Sequence, residues 1–164
     1  ANAENKKVCW RFNLKCFSKL PKINKIYPEI EFHIIGEISK IDKFLLLSKN
    51  NVKIFGKKNN LAPYLSKSIC CLANLKISSG IQTKLLTYMS FGVPSISSKQ
   101  VLENFDAIKQ GKLAFYKNKK ELIDLILKFK RNKNYSISMS QRGFKIIKKF
   151  KWDKILRILN KVFT

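Results

Sequence analysis

The chain has 164 residues, 45% of them hydrophobic, enough for one domain with a substantial core. Its 34 basic residues against 10 acidic ones give a formal net charge of +24. No apolar run reaches the roughly 20 residues that span a bilayer. The stretch Ala1 to Lys7 is polar and lacks the apolar heart of a signal peptide.

In chain order, Leu20 to Tyr27 reads as a helix stopped by Pro28. Glu31 to Gly36 is predicted to be a strand with a glycine at its end. Lys40 to Ser48 reads as a helix, Asn50-Asn51 as a turn, and Val52 to Phe55 as a strand closed by Gly56. Leu61 to Lys67 is predicted as a short helix and Ile69 to Ala73 as a buried strand. Thr83 to Phe91 is the next helix, followed by a strand over Pro94 to Ser97 and another over Leu113 to Tyr116. Asn118 to Lys130 reads as a helix capped by Asn118, with Leu122, Ile126 and Phe129 on one face. Tyr135 to Phe150 is helical, and Trp152 to Phe163 is a final amphipathic helix. This alternation predicts an α/β fold: a Rossmann-like, doubly wound parallel sheet in a single domain.

Charge alone points to nucleic acid. Only four of the cations are arginine, however: Arg11, Arg131, Arg142 and Arg157. Arginine is the better reader of bases and phosphates, and the lysines are spread along the whole chain. The reading is therefore no nucleic acid, with a basic face against anionic lipid and a plainly solvated surface both left open. Cys9, Cys16, Cys70 and Cys71 have no zinc-ligand spacing, and His33 is the sole histidine. All four cysteines are expected to be reduced thiols in a cytoplasmic protein, with no metal. Cys70 and Cys71 should point to opposite faces of their strand. His33 reads as a strand residue rather than a base, Tyr88, Phe91 and Trp152 as core, and Lys145 to Lys151 as a solvated helix face. Glu103 and Asp106 carry no mark of an acid pair.

The most informative segment runs from Ser79 to Ser97: a turn at Gly80, a helix, and Gly92-Val93-Pro94 leading into a strand. A helix N-terminus offers unpaired amides and a partial positive charge, which suits a phosphate. The amides of Ile81, Gln82 and Thr83 and the ammonium of Lys84 lie at that helix start. In an α/β fold such a turn belongs at the carboxyl edge of the sheet, where ligands bind.

The order of these pieces resembles the C-terminal half of GT-B glycosyltransferases in the retaining group called group 1 or family 4. Tyr27-Pro28 through Gly36, Val52 through Gly56, and Trp152-Asp153 each resemble a family segment. The most specific match joins Gly80-Ile81-Gln82-Thr83-Lys84 to Met89-Ser90-Phe91-Gly92-Val93-Pro94. The resemblance implies that residues 1–164 are a nucleotide-sugar (donor) binding domain whose N-terminal acceptor domain is not in this chain. It implies a nucleoside-diphosphate sugar as donor substrate, no separate cofactor, and transfer with retention to a cell-surface glycan. The enzyme would work in the cytoplasm, with peripheral contact to an anionic membrane, and the domain alone would turn over little.

The resemblance also implies a site. Gly80 to Thr83 would give amides to the diphosphate, Lys84 would neutralise it, and Gly56-Lys57 would lie near the base. The family often has two glutamates with seven residues between them; here those positions hold Ser79 and Thr87. The second glutamate takes the ribose hydroxyls, a task a single hydroxyl does only in part. The catalytic residues that face the acceptor are not identified. Two other readings stand beside this one: a basic nucleic-acid- or membrane-binding module on a Rossmann-like scaffold, and a non-catalytic glycosyltransferase relative.

Overall fold

The computed structural model of the chain describes residues 7–10, 27–47, 51–66, 68–73, 83–99 and 113–148. In chain order the elements are β1 (Lys7–Trp10), β2 (Glu31–Ile34), α1 (Lys40–Leu47), β3 (Val52–Ile54) and α2 (Ala62–Leu65). They continue with β4 (Ser68–Ala73), α3 (Thr83–Ser90), β5 (Ser95–Ser98), β6 (Ala114–Tyr116), α4 (Lys119–Arg131) and α5 (Lys133–Ile147). The strands form one sheet in the order β3-β2-β1-β4-β5-β6, and every neighbouring pair is parallel. This is the doubly wound arrangement that the alternation predicts.

The central strand is the one the sequence pattern does not reveal. β1 pairs with β2 through Val8↔Phe32 and with β4 through Val8↔Cys70, yet it covers only Lys-Val-Cys-Trp. A buried parallel strand is usually an apolar run. Here the run is three residues long and follows a polar stretch, so it leaves little signal.

Helices cover both faces of the sheet. β4 is buried along its whole length, and its side chains alternate between two clusters. Cys70 and Leu72 join Phe32, Ile34, Leu122, Ile126 and Phe129 on the face covered by α4, with Leu46 of α1. Cys71 and Ala73 join Leu65 of α2, Leu85, Tyr88 and Met89 of α3 and Ile146 of α5 on the other. The expected split of Cys70 and Cys71 is therefore found. Each fully buried Leu, Ile or Phe contributes about 1.5–3 kcal/mol of transfer free energy.

Helix ends follow local chemistry. The Asn118 side chain accepts from the Glu121 amide at 3.0 Å, and Glu121 Oε2 accepts from the Lys117 amide at 2.8 Å. The first satisfies an amide that the helix start would leave bare, and the second ties the helix back to the residue before the cap. Asn132 follows the last residue of α4, and its side chain caps α5 by accepting from the Tyr135 amide at 2.8 Å. His33 is a buried strand residue, as expected, with Nε2 2.8 Å from Glu31 Oε2. Phe91 departs from its core reading: it is 43% exposed because it sits at the turn that ends α3. Tyr88 is core as expected.

Lys145 and Lys148 are exposed, in line with a solvated face. Among the described residues no helix is long and apolar enough to cross a membrane. The helices expected over Leu20 to Tyr27 (through residue 26) and Trp152 to Phe163 lie outside the described residues. So do Cys16, Glu103, Asp106 and the lysines at 149 and 151.

Candidate functional site

The sheet order places a topological switch between β1 and β4, because connections run towards β3 on one side and towards β6 on the other. At such a point the loops leave the carboxyl edge in opposite directions and open a crevice. α3 is the first helix after β4, so its N-terminus lies at this crevice. The segment that joins them, residues 74–82, holds Ser79, Gly80, Ile81 and Gln82 and lies outside the described residues.

The described part of the site is α3 itself. Leu85, Tyr88 and Met89 are buried and fix the helix on the sheet. Thr83, its first residue, is exposed, and Lys84 and Thr87 are half-buried. Lys84 and Thr87, three residues apart, share one side of the helix. No acidic residue lies in the first turn, so the partial positive charge there is not offset from within it. Thr87 Oγ1 donates to the Thr83 carbonyl at 2.9 Å, which spends its hydrogen inside the helix and leaves an acceptor lone pair.

The far end of α3 explains Gly92-Val93-Pro94. Gly92 has φ +66°, its amide donates to the Met89 carbonyl at 3.0 Å, and the Val93 amide donates to the Tyr88 carbonyl at 3.2 Å. These two bonds form a Schellman turn, which needs the left-handed backbone that glycine adopts without strain. Val93 is buried beneath it, and Pro94 prevents further helix before β5.

Gly56 ends β3 at the same carboxyl edge, with φ +63°. A Cβ placed on it would meet nothing within 4 Å. Lys57 follows it and is exposed. Three strand spacings separate β3 from β4, so Gly56 lies about 14 Å from the end of β4 across the edge. The structure thus brings Gly56, Lys57, Thr83, Lys84 and Thr87 to one edge of one sheet.

Gly36, read from the sequence as the end of a strand, was not assigned to this edge. The Gly36 amide donates to the Gly56 carbonyl at 2.7 Å and joins the ends of β2 and β3. The signal was present: Ile35-Gly36 and Phe55-Gly56 end neighbouring strands with the same apolar-glycine pair. Below this joint Phe55 packs between His33 and Tyr64, each ring centroid 4.9 Å away. Among the described residues no group of three or more His, Cys, Asp or Glu side chains is placed to hold a metal ion.

Sheet order and switch point together define a Rossmann-like α/β domain, with the candidate ligand edge beside α3. The family model for glycosyl transferases group 1 matches residues 9–132, and the chain belongs to that family. No curated protein matches the chain in sequence. Among solved structures it is similar in fold to HepE from Anabaena in complex with UDP, with a TM-score of 0.77, 12% identity, and 98% of this chain and 49% of that one covered. It is similar also to S. aureus TarM in complex with fondaparinux, alpha-GlcNAc-glycerol and UDP (TM-score 0.74, 18% identity, 98% and 36% covered). A third is WaaG, a glycosyltransferase involved in lipopolysaccharide biosynthesis (0.65, 10%, 88% and 43%). The fold is thus that of GT-B glycosyltransferases, and the chain spans between about a third and a half of these proteins' length.

Proposed function

We propose that this chain is the donor-binding half of a retaining, family 4 glycosyltransferase. It holds a nucleoside-diphosphate sugar with the diphosphate at the start of α3 and the base towards Gly56-Lys57. An N-terminal acceptor domain closes over the sugar and brings a cell-surface glycan. The observation that carries this reading is Lys84, in the first turn of a helix that starts at the topological switch point and has no acidic residue of its own in that turn. HepE and TarM, which share the fold, are both described with UDP.

In such a transfer the bond from the sugar's anomeric carbon to the β-phosphate oxygen breaks, an acceptor hydroxyl oxygen takes its place on that carbon, and the hydroxyl proton leaves with the diphosphate. The departing diphosphate gains negative charge. Lys84 and the α3 dipole stabilise that charge where it develops, the main electrostatic task of the site. No metal or separate cofactor has a part in this reading. The enzyme works in the cytoplasm, in polysaccharide assembly, at the periphery of an anionic membrane.

A second reading, a non-catalytic relative, is favoured by one observation: Thr87 has already spent its hydrogen on Thr83. Calorimetric titration with UDP, GDP, ADP and CMP tests the first. One diphosphate should bind measurably better than the rest. Binding of none of them, even at millimolar concentration, rejects the donor site. Binding without transfer once an acceptor domain is supplied supports the second reading.

A further inference from the structure

The structure assigns to the outer face of α1 a role that neither the donor site nor the sheet explains: we propose that it seats the domain on an anionic lipid bilayer. This names the surface for the membrane contact proposed above and is independent of donor binding. Ile41, Phe44 and Leu45 are 74%, 78% and 59% exposed. They stand at i, i+3 and i+4, so they form one stripe on a helix of two turns. Leu46 points the other way and is 3% exposed in the core. A single exposed apolar residue is ordinary, but three contiguous ones, including a phenylalanine, mark a contact surface.

The flanking chemistry selects the occupant. Lys40 and Lys43 are exposed on the same helix, and Lys58 is exposed just beyond β3, the edge strand on which α1 packs. Glu37, exposed, leads into the helix, and Asp42 lies on it, so the lysines outnumber the acids by a small margin there and more widely over the chain. Apolar side chains edged by lysines suit the boundary between anionic headgroups and acyl chains. The net charge of +24 favours the same partner. A second copy of the chain fits less well. It would bring the same lysines face to face, and a stable interface needs about 1,200 Å² or more, beyond what three side chains supply. Leu46 belongs to the cluster on the face opposite α3, so a bilayer against α1 leaves the α3 edge open to a soluble donor.

The test is flotation of the chain with vesicles of phosphatidylcholine alone or with about 30% phosphatidylglycerol, since lysine contacts require anionic lipid. The chain should float with the anionic vesicles only, and less as salt rises. The Ile41→Ser/Phe44→Ser/Leu45→Ser variant and the Lys40→Glu/Lys43→Glu variant should each lose roughly tenfold or more in vesicle affinity. Circular dichroism should match the parent chain. Ile137→Ser/Phe144→Ser, on exposed positions of α5, should float like the parent. Phe44→Trp should shift its emission to the blue with anionic vesicles.

Undiminished flotation of both α1 variants overturns the assignment of α1 while leaving membrane contact standing. Failure of the parent chain to float rejects membrane contact altogether. Light scattering that shows a dimer lost in the serine variant rejects the bilayer in favour of a second copy. Neither result bears on the diphosphate titration, so the two proposals fail separately.

Discussion

A Cβ built on Gly143 in α5 would lie 3.1 Å from Cγ of Met89 in α3. Met89 is fully buried, and α5 packs directly on α3, so this helix crossing presses the proposed donor helix onto the sheet. Glycine is costly within a helix, by about 1 kcal/mol against alanine, and here its lack of a side chain permits the close approach. Gly143→Ala should fall short of that 1 kcal/mol gain, because Met89 must give way. Gly143→Leu should destabilise by about 2–3 kcal/mol through overpacking. Urea unfolding measures both, and a leucine variant as stable as the parent would show that the crossing is loose.

Lys84 is the proposed charged contact to the donor phosphates. Lys84→Ala should weaken binding of the preferred nucleoside diphosphate by about 1.5–3 kcal/mol, the range of a charge-assisted hydrogen bond. The nucleoside lacking phosphates should lose little. Equal diphosphate affinities for the two proteins would remove Lys84 from the site.

Thr87 occupies the position where the family pattern often has a glutamate. Its hydroxyl hydrogen already goes to Thr83 at 2.9 Å, so it can only accept from a ribose hydroxyl. Thr87→Glu should tighten diphosphate binding by about 1 kcal/mol, one added charged hydrogen bond after desolvation. The gain should vanish with a diphosphate whose ribose hydroxyls are replaced by hydrogen. An equal gain for both ligands would mean that this face of α3 does not meet ribose.

Glu31 predicts an acid limb of stability. Hydrogen bonds from Lys53, whose Nζ donates at 2.7 Å, and from the His33 ring hold its carboxyl below the usual carboxylate range. A carboxyl depressed in the folded state stabilises it at pH above the unfolded value, about 4.3 for glutamate. That stabilisation is lost as pH falls through the folded value. Urea midpoints should therefore decline from about pH 5 downward, and Glu31→Gln should flatten the decline. Parallel profiles for the two proteins would assign the acid limb to other groups.

Most of the fold was legible because its strands carry the marks of burial. Ile69 to Ala73 is an apolar run, Leu113 to Tyr116 likewise, and glycine or proline flanks Glu31 to Gly36, Val52 to Gly56 and Pro94 to Ser97. Asn118 and the face of Leu122, Ile126 and Phe129 were read directly from spacing and are found buried or capping as expected. β1 was not legible, since pairing on both sides, rather than its own composition, makes Lys7–Trp10 a strand. At the candidate ligand edge, Lys84 and Thr87 stand out by helical spacing. The bond between Gly36 and Gly56 does not, because it joins backbones across neighbouring strands.

The position of β1 also bears on how the chain reaches its fold. Lys7 pairs with Glu31 on one side and with Ser68 on the other, so the earliest of these six strands in sequence order sits inside the sheet. It can take its β2 neighbour early, but its other edge stays bare until β4 has been made. Closing that long loop makes parallel sheets slow to assemble, and an unpaired edge in the interval invites association with another chain. Nascent chains halted before Ser68 should therefore be the ones most dependent on a chaperone.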